Sequence, residues 1–273
     1  MISDSQCNVV FYSALLESQI GTQTFERIRE VLELHSVEFK GLTNTKDIWC
    51  RDYMPIQLEK SKFVQFRYEP SYLIDYPELR SMPKEVLKSN GITAQFSDIN
   101  LDGGNVVRWK DKVILTERVF AENQIDATTL THKLETLFEA NVYFIPDISG
   151  DMTGHADGHV RFIDGNTVLV NELNSEYKYW QEGFLKMIKR AKLDFVEMPW
   201  FVPRDKRSAI GIYVNYLEVC DLILFPVFDV PNNRDQEALQ VIQDVFPWRE
   251  IVPININEIG QHGGLLNCVT WSS

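Results

Sequence analysis

Five times along the chain an amphipathic helical stretch leads into a short β-rich run, and each run ends in a compact cluster of polar, glycine and reactive residue types. The clusters are Asp47 to Asp52, Asn100 to Asn105, Asp151 to His159, Arg204 to Asn215, and Gln261 to Cys268. Equivalent units place equivalent segments at equivalent positions, and units that each need a neighbour to bury an apolar face stack or close into a ring. A ring brings all five clusters to one centre. An ordinary three-layer α/β domain is the competing arrangement, and the matched placement of the clusters favours the ring.

The helical periods predict helices over Thr22–Leu34, Tyr76–Ser89, Ala127–Ala140, Tyr177–Ala191 and Asp235–Phe246. In the first, Phe25, Ile28, Val31 and Leu32 share one face and Glu26, Arg27, Arg29 and Glu30 the other. Each is followed by a strand candidate: Val37–Leu42, Ile92–Ile99, Val142–Ile145, Phe195–Trp200 and Ile251–Ile256. Further β-rich runs (Phe63–Tyr68, Val113–Thr116, Thr167–Asn171, Leu222–Phe228) give each unit several strands and one helix. With no proline-rich, glycine-serine or low-complexity linker, residues 1–273 read as a single domain.

A formal net charge of −12 argues against nucleic acid or an anionic membrane as partner and favours a small cation. Four dispersed cysteines without a CxxC pair indicate neither a zinc ribbon nor a disulfide framework. No basic-then-apolar leader and no bilayer-length apolar run is visible, so a cytoplasmic protein is expected.

If Gly154 to Phe162 is extended, His155, Asp157, His159 and Arg161 share one face, which is costly unless they meet partners, water or a ligand. Two readings compete there: His155 as general acid/base beside a binding carboxylate, or His155, Asp157 and His159 as metal ligands. Cys268 follows His262-Gly-Gly, a backbone able to approach a ligand closely, and pairs better with the first reading as a nucleophile. Taken singly, Cys268 suits a buried strand, Asp52 a pair with Arg51, and Asp102 a turn before Gly103-Gly104.

Trp49-Cys-Arg-Asp-Tyr-Met-Pro55, Leu101-Asp-Gly-Gly-Asn105, Gly154 to Phe162, Tyr213-Val-Asn215, Phe246-Pro-Trp-Arg249 and Gly263 to Thr270 resemble, in the same order, the motifs of agmatine deiminases. Those enzymes stand with bacterial peptidylarginine deiminase in the guanidino-group-modifying superfamily. The resemblance implies the pentein fold, a five-bladed α/β propeller of pseudo-fivefold ββαβ units around a central active site. It also implies Cys268 as nucleophile, His155 as general acid/base, Asp102 as the residue orienting that histidine, and Asp52 and Asp157 as carboxylates holding a guanidinium, with Trp49 and Asn105 also lining the substrate site. Met54, Asp102, His262 and Asn267 stand where the family pattern usually has glycine, glutamate, glycine and histidine.

The implied reaction hydrolyses a small cationic guanidino compound, agmatine-like or arginine-derived, to a ureido product and ammonia, with no metal and no cofactor. Amidino transfer on the same scaffold, a metal-dependent hydrolase and a non-catalytic pentein binding protein are the alternatives. A homodimer is left open as the assembly, and Arg204 to Asn215, with no role assigned, is the expected place of substrate choice.

Overall fold

The unbroken apolar runs Val113–Leu115, Val168–Val170 and Leu222–Phe225 are fully buried middle strands of separate sheets, since a strand covered on both faces needs apolar side chains on both. They are seen in a computed structural model that describes residues 1–19, 22–201 and 208–273. Among the described residues are five three-stranded sheets of one pattern. The first contains β1 (Val9–Ser13) and β2 (Glu38–Leu42). The second contains β3 (Ile56–Glu59), β4 (Lys62–Arg67) and β5 (Gln95–Asn100), and the third β6 (Val107–Trp109), β7 (Lys112–Thr116) and β8 (Asn141–Ile145). The fourth contains β9 (Val160–Phe162), β10 (Thr167–Asn171) and β11 (Asp194–Met198). The fifth contains β12 (Leu217–Val219), β13 (Leu222–Val227) and β14 (Glu250–Asn255). The last strand, β15 (Thr270–Ser272), completes the first sheet, antiparallel to β1 with Val10 opposite Ser272. Both ends of the chain thus share one sheet, which closes a pseudo-fivefold α/β propeller of pentein type.

In every sheet the first pair is antiparallel and the second parallel. A parallel neighbour needs a crossover, and the predicted helices supply it. Thr22–Leu34 forms as expected, burying Phe25, Ile28, Val31 and Leu32. Ala127–Phe138 starts at Asp126, whose carboxylate accepts the Thr129 N–H at 2.9 Å. Lys178–Ala191 and Asp235–Val245 complete two further units. The helix expected over Tyr76–Ser89 begins only at Pro83, whose missing N–H suits a first helical position. The residues before it form two 3-10 turns, Ser71–Leu73 and Pro77–Leu79.

The five clusters lie where the chain leaves the third strand of one sheet for the first strand of the next. Of the fourth cluster, Arg204–Arg207 lies outside the described residues, whereas Ser208–Asn215 is described. The expected extended run through Gly154–Phe162 is corrected: Ala156–Gly158 is a 3-10 turn and strand begins only at Val160. That turn breaks the alternation, so the four ionisable side chains do not share a face.

Candidate active site

Each crossing contributes a polar group to one buried cluster. The one-turn helix Cys50–Tyr53 carries Asp52, and its Arg51 N–H donates to the Cys268 carbonyl at 3.2 Å, joining the first crossing to the last. Asp52 Oδ1 accepts the Gly104 N–H at 3.1 Å. Asp102 occupies the cap position before the turn Gly103–Asn105, and its Oδ2 accepts the Tyr72 hydroxyl at 3.1 Å and lies 3.0 Å from His155 Nε2. The other ring nitrogen, Nδ1, stands 3.6 Å from Asp52 Oδ1. The ring is hydrogen-bonded to a carboxylate at Nε2 and has a second carboxyl near Nδ1, beyond direct bonding distance, an environment that favours the imidazolium.

The remaining contacts surround the thiol. Cys268 Sγ lies 3.4 Å from Asn215 Oδ1 and 4.0 Å from Asp157 Oδ2. Asn267 Nδ2 donates to Asp157 Oδ2 at 2.6 Å, and the Asn267 N–H donates to Asn215 Oδ1 at 3.1 Å. Asn215 Nδ2 returns to the Asp157 carbonyl at 3.2 Å, so the third, fourth and fifth crossings are tied by amide side chains.

Two glycines make the approach feasible. A Cβ on Gly264 would fall against the Trp49 ring and 3.0 Å from Cys268 Cβ. A Cβ on Gly104 would stand 2.5 Å from His155 Nδ1 and 2.6 Å from Asp52 Oδ1, and both partners are buried. Gly104→Ala is therefore expected to leave a folded protein whose turnover falls at least about tenfold, in keeping with the sensitivity of catalysis to displacements near 1 Å. Wild-type kcat/KM in that variant would contradict this packing.

Burial and the neighbouring carboxylates set the charge state. Burial raises the Asp52 pKa above the ordinary carboxylate range, reinforced by Asp102 and Asp157 against the opposing His155. Burial alone would lower His155, but Asp52 and Asp102 outweigh it and hold the imidazole protonated above its ordinary range. Burial, then Asp157 and Asp52, push the Cys268 thiol well above its usual value. The resting site thus combines an imidazolium, a neutral thiol and an Asp52 carboxyl that burial disposes to keep its proton.

Cys268, His155, Asp102, Asp52 and Asp157 therefore meet as their sequence positions suggested, with Trp49 alongside. Asn105 is buried on the same turn, where its Oδ1 accepts the Thr116 N–H at 2.8 Å and braces the scaffold. Arg51 is not spent on Asp52; its Nε donates to the Asn267 carbonyl at 3.2 Å. His159 turns the other way, 3.6 Å from Asp151 and 3.9 Å from Glu176, with its ring 5.5 Å from that of Trp180. His155 and Asp157 face the site while His159 points away from it, so the three do not converge on one ion, against the metal-ligand reading. Asn215, Asn267 and Tyr72 are site residues that the sequence reading does not single out, because an uncharged amide or phenol carries no local signal of a partner 30 or more positions away.

Relatives bear on the whole arrangement. An agmatine deiminase from Pseudomonas aeruginosa is 42% identical over 69 residues, which are 25% of this chain and 18% of that protein. A putative agmatine deiminase from Streptococcus mutans is 37% identical over 81 residues, 29% of this chain and 21% of that protein. The chain thus spans about a fifth of the length of the curated relatives it matches. The fold of a C. jejuni agmatine deiminase superposes with a TM-score of 0.79 at 17% identity, covering 99% of this chain and 94% of the other. The family model described as Porphyromonas-type peptidyl-arginine deiminase matches residues 11–273. With nearly the whole chain matched, the protein belongs to the Porphyromonas-type peptidyl-arginine deiminase family.

Proposed function

We propose that the protein is a deiminase that hydrolyses a small cationic guanidino compound, agmatine-like or arginine-derived, to a ureido product and ammonia. The observation that carries this reading is the meeting of Cys268 with the carboxylates Asp52 and Asp157 and the Asp102–His155 pair. A guanidinium is planar, permanently charged and acceptor-free, so two carboxylates can fix its plane with paired hydrogen bonds and leave its carbon facing a thiol.

Entry of the cation offsets the carboxylate charge that disfavours the thiolate, and the thiol proton leaves to solvent past the partly exposed Cys268. The thiolate adds to the guanidino carbon. As the C–N bond breaks, His155 gives its proton to the departing nitrogen, releasing ammonia and leaving a thiouronium on Cys268. The now neutral His155 takes a proton from water and the hydroxide adds to the same carbon; as the C–S bond breaks, the new hydroxyl's proton passes to the departing Cys268 sulfur, freeing the ureido product and restoring the thiol. Asp102 keeps the imidazole oriented throughout.

The test is incubation with agmatine, free arginine and an arginyl peptide, measuring ureido product and ammonia with and without an added amine. Equal amounts of both products from at least one compound are expected; turnover only with the amine, or with none of them, sinks the reading. The charge argument also fixes a pH dependence. The free thiol is raised and a bound cation lowers it, so the acid limb of kcat/KM should lie at higher pH than the acid limb of kcat. Coincident limbs would contradict ionisation on substrate entry.

A further inference from the structure

Behind the guanidine-binding carboxylates lies a second buried charge cluster that the reaction does not use. The turn Asp4–Gln6 near the start of the chain inserts Asp4 between two sheets, with Oδ1 3.0 Å from Arg108 Nη2 and Oδ2 accepting from Arg161 Nη2 at 2.9 Å. Arg108 lies on β6 and Arg161 on β9, and both are buried. Arg161 also covers the Tyr216 ring at 4.7 Å, and Glu218 Oε1 is 3.1 Å from Arg249 Nη2. Burial opposes ionisation of Asp4, yet Arg108, Arg161 and Arg51 hold its carboxyl down at about 2.

A cavity of about 20 Å³, room for about one water, is lined by Arg51, Arg108 and Arg161 together with Asp4, Glu218, Asp157 and Asn267. Arg51 Nη2 and Asn267 Oδ1 are buried without a hydrogen-bond partner among the described residues. Asp4 Oδ1 and Arg108 Nη2, 3.0 Å apart, are likewise without a hydrogen bond of good geometry, so two donors and two acceptors stand bare on residues lining one cavity. Arg51 and Asn267 also hold the site: Arg51 through the Asn267 carbonyl, and Asn267 through Asp157 Oδ2.

We propose that the arginine-lined cavity is a carboxylate-binding site that the chain fills with its own Asp4, and that Asp4 acts through Arg51 and Asn267 as a positioning residue for Asp157. Three clustered guanidinium groups repel one another; with Asp4 gone, the nearest carboxylate to Arg161 among the described residues is Glu218, 4.0 Å away and already paired with Arg249, so Arg51 has less reason to stay behind Asn267. Asp157 then loses its fixed orientation although no group touching substrate has changed. The positioning half of the proposal rests on the deiminase reading; the carboxylate site does not.

Two measurements test it. In Asp4→Ala, sodium formate should raise Tm saturably relative to sodium chloride at equal ionic strength, with no such difference in the wild type. Because this readout needs no turnover, it stands even if every guanidino compound proves inert. Failure of formate to act on a folded Asp4→Ala overturns the site, as does an equal response in the wild type. In the isosteric Asp4→Asn, KM for the guanidino substrate should rise about 5- to 20-fold with kcat within about twofold, and that rise should disappear in an Asn267→Ala background. An unchanged KM, or a rise that simply multiplies with that of Asn267→Ala, overturns the positioning role. Should Asp4→Ala fail to fold in chloride, recovery of folded protein on refolding in formate replaces the Tm readout, and no recovery counts against the site.

Discussion

Cys268→Ala should abolish turnover, a loss of about 10⁴-fold or more, while the protein keeps its fold and still binds the guanidino compound. Among the described residues the polar neighbours of the thiol are Asn215, whose amide is bonded to the Asp157 carbonyl, and Asp157, which accepts from Asn267, and neither is a substitute nucleophile. The bond that joins this crossing to the first, from the Arg51 N–H to the Cys268 carbonyl, is one that alanine retains. A thermal melt within about 2 °C of the wild type, with ammonia release at background, is the expected pair of results. Measurable turnover in the purified variant would mean that the attacking group is not the thiol.

Asp52→Asn should separate stability from activity. With the carboxylate gone, one side of the guanidinium loses its charged partner, a change of about 3–5 kcal/mol for a buried pair, and kcat/KM falls by about 10²- to 10⁴-fold. Stability should move the other way. A carboxyl whose folded pKa is raised binds its proton more tightly folded than unfolded, so Asp52 costs stability as pH rises from the ordinary carboxylate value near about 4 toward its folded value. The raised His155 adds stability that is complete below its unfolded value near about 6.5 and is lost as pH rises through its folded value. Both effects make the wild type less stable toward alkaline pH. An asparagine still accepts the Gly104 N–H, removes the carboxylate cost and weakens the pull on His155. Asp52→Asn should therefore raise Tm at neutral pH by a few degrees, equivalent to about 1–2 kcal/mol, and flatten its decline with pH. A lower Tm would show that Asp52 stabilises the empty site.

Most of this architecture was legible in the sequence because its elements follow from local pattern. The face Phe25, Ile28, Val31, Leu32 needs only helical spacing, and the run Val168–Val170 only burial on both sides. Cys268, His155, Asp52, Asp102 and Asp157 were recognisable as reactive types at matching repeat positions, and the ring brings them together. Failures came where a partner far along the chain decides. His159 was grouped with His155 by strand alternation, which the turn at Ala156–Gly158 destroys. Tyr72 carries no local signal of its role, which arises only because the 3-10 turn Ser71–Leu73 sends its hydroxyl to Asp102. Asn215 gave the fourth cluster a place in the site that no local rule supplies, because its amide acquires meaning only from Asn267 and Asp157. Asp4 reads as an ordinary acidic residue until Arg108 and Arg161 close on it.

The central claim is that the crossings between sheets build one guanidinium site facing one thiol. Its most direct test is a crystal structure of Cys268→Ala grown with the guanidino compound that the product assay finds turned over fastest. The guanidinium should lie between Asp52 and Asp157, its carbon above position 268 and a departing nitrogen within hydrogen-bond reach of His155. A guanidino group bound elsewhere, or one that touches neither carboxylate, would contradict that claim.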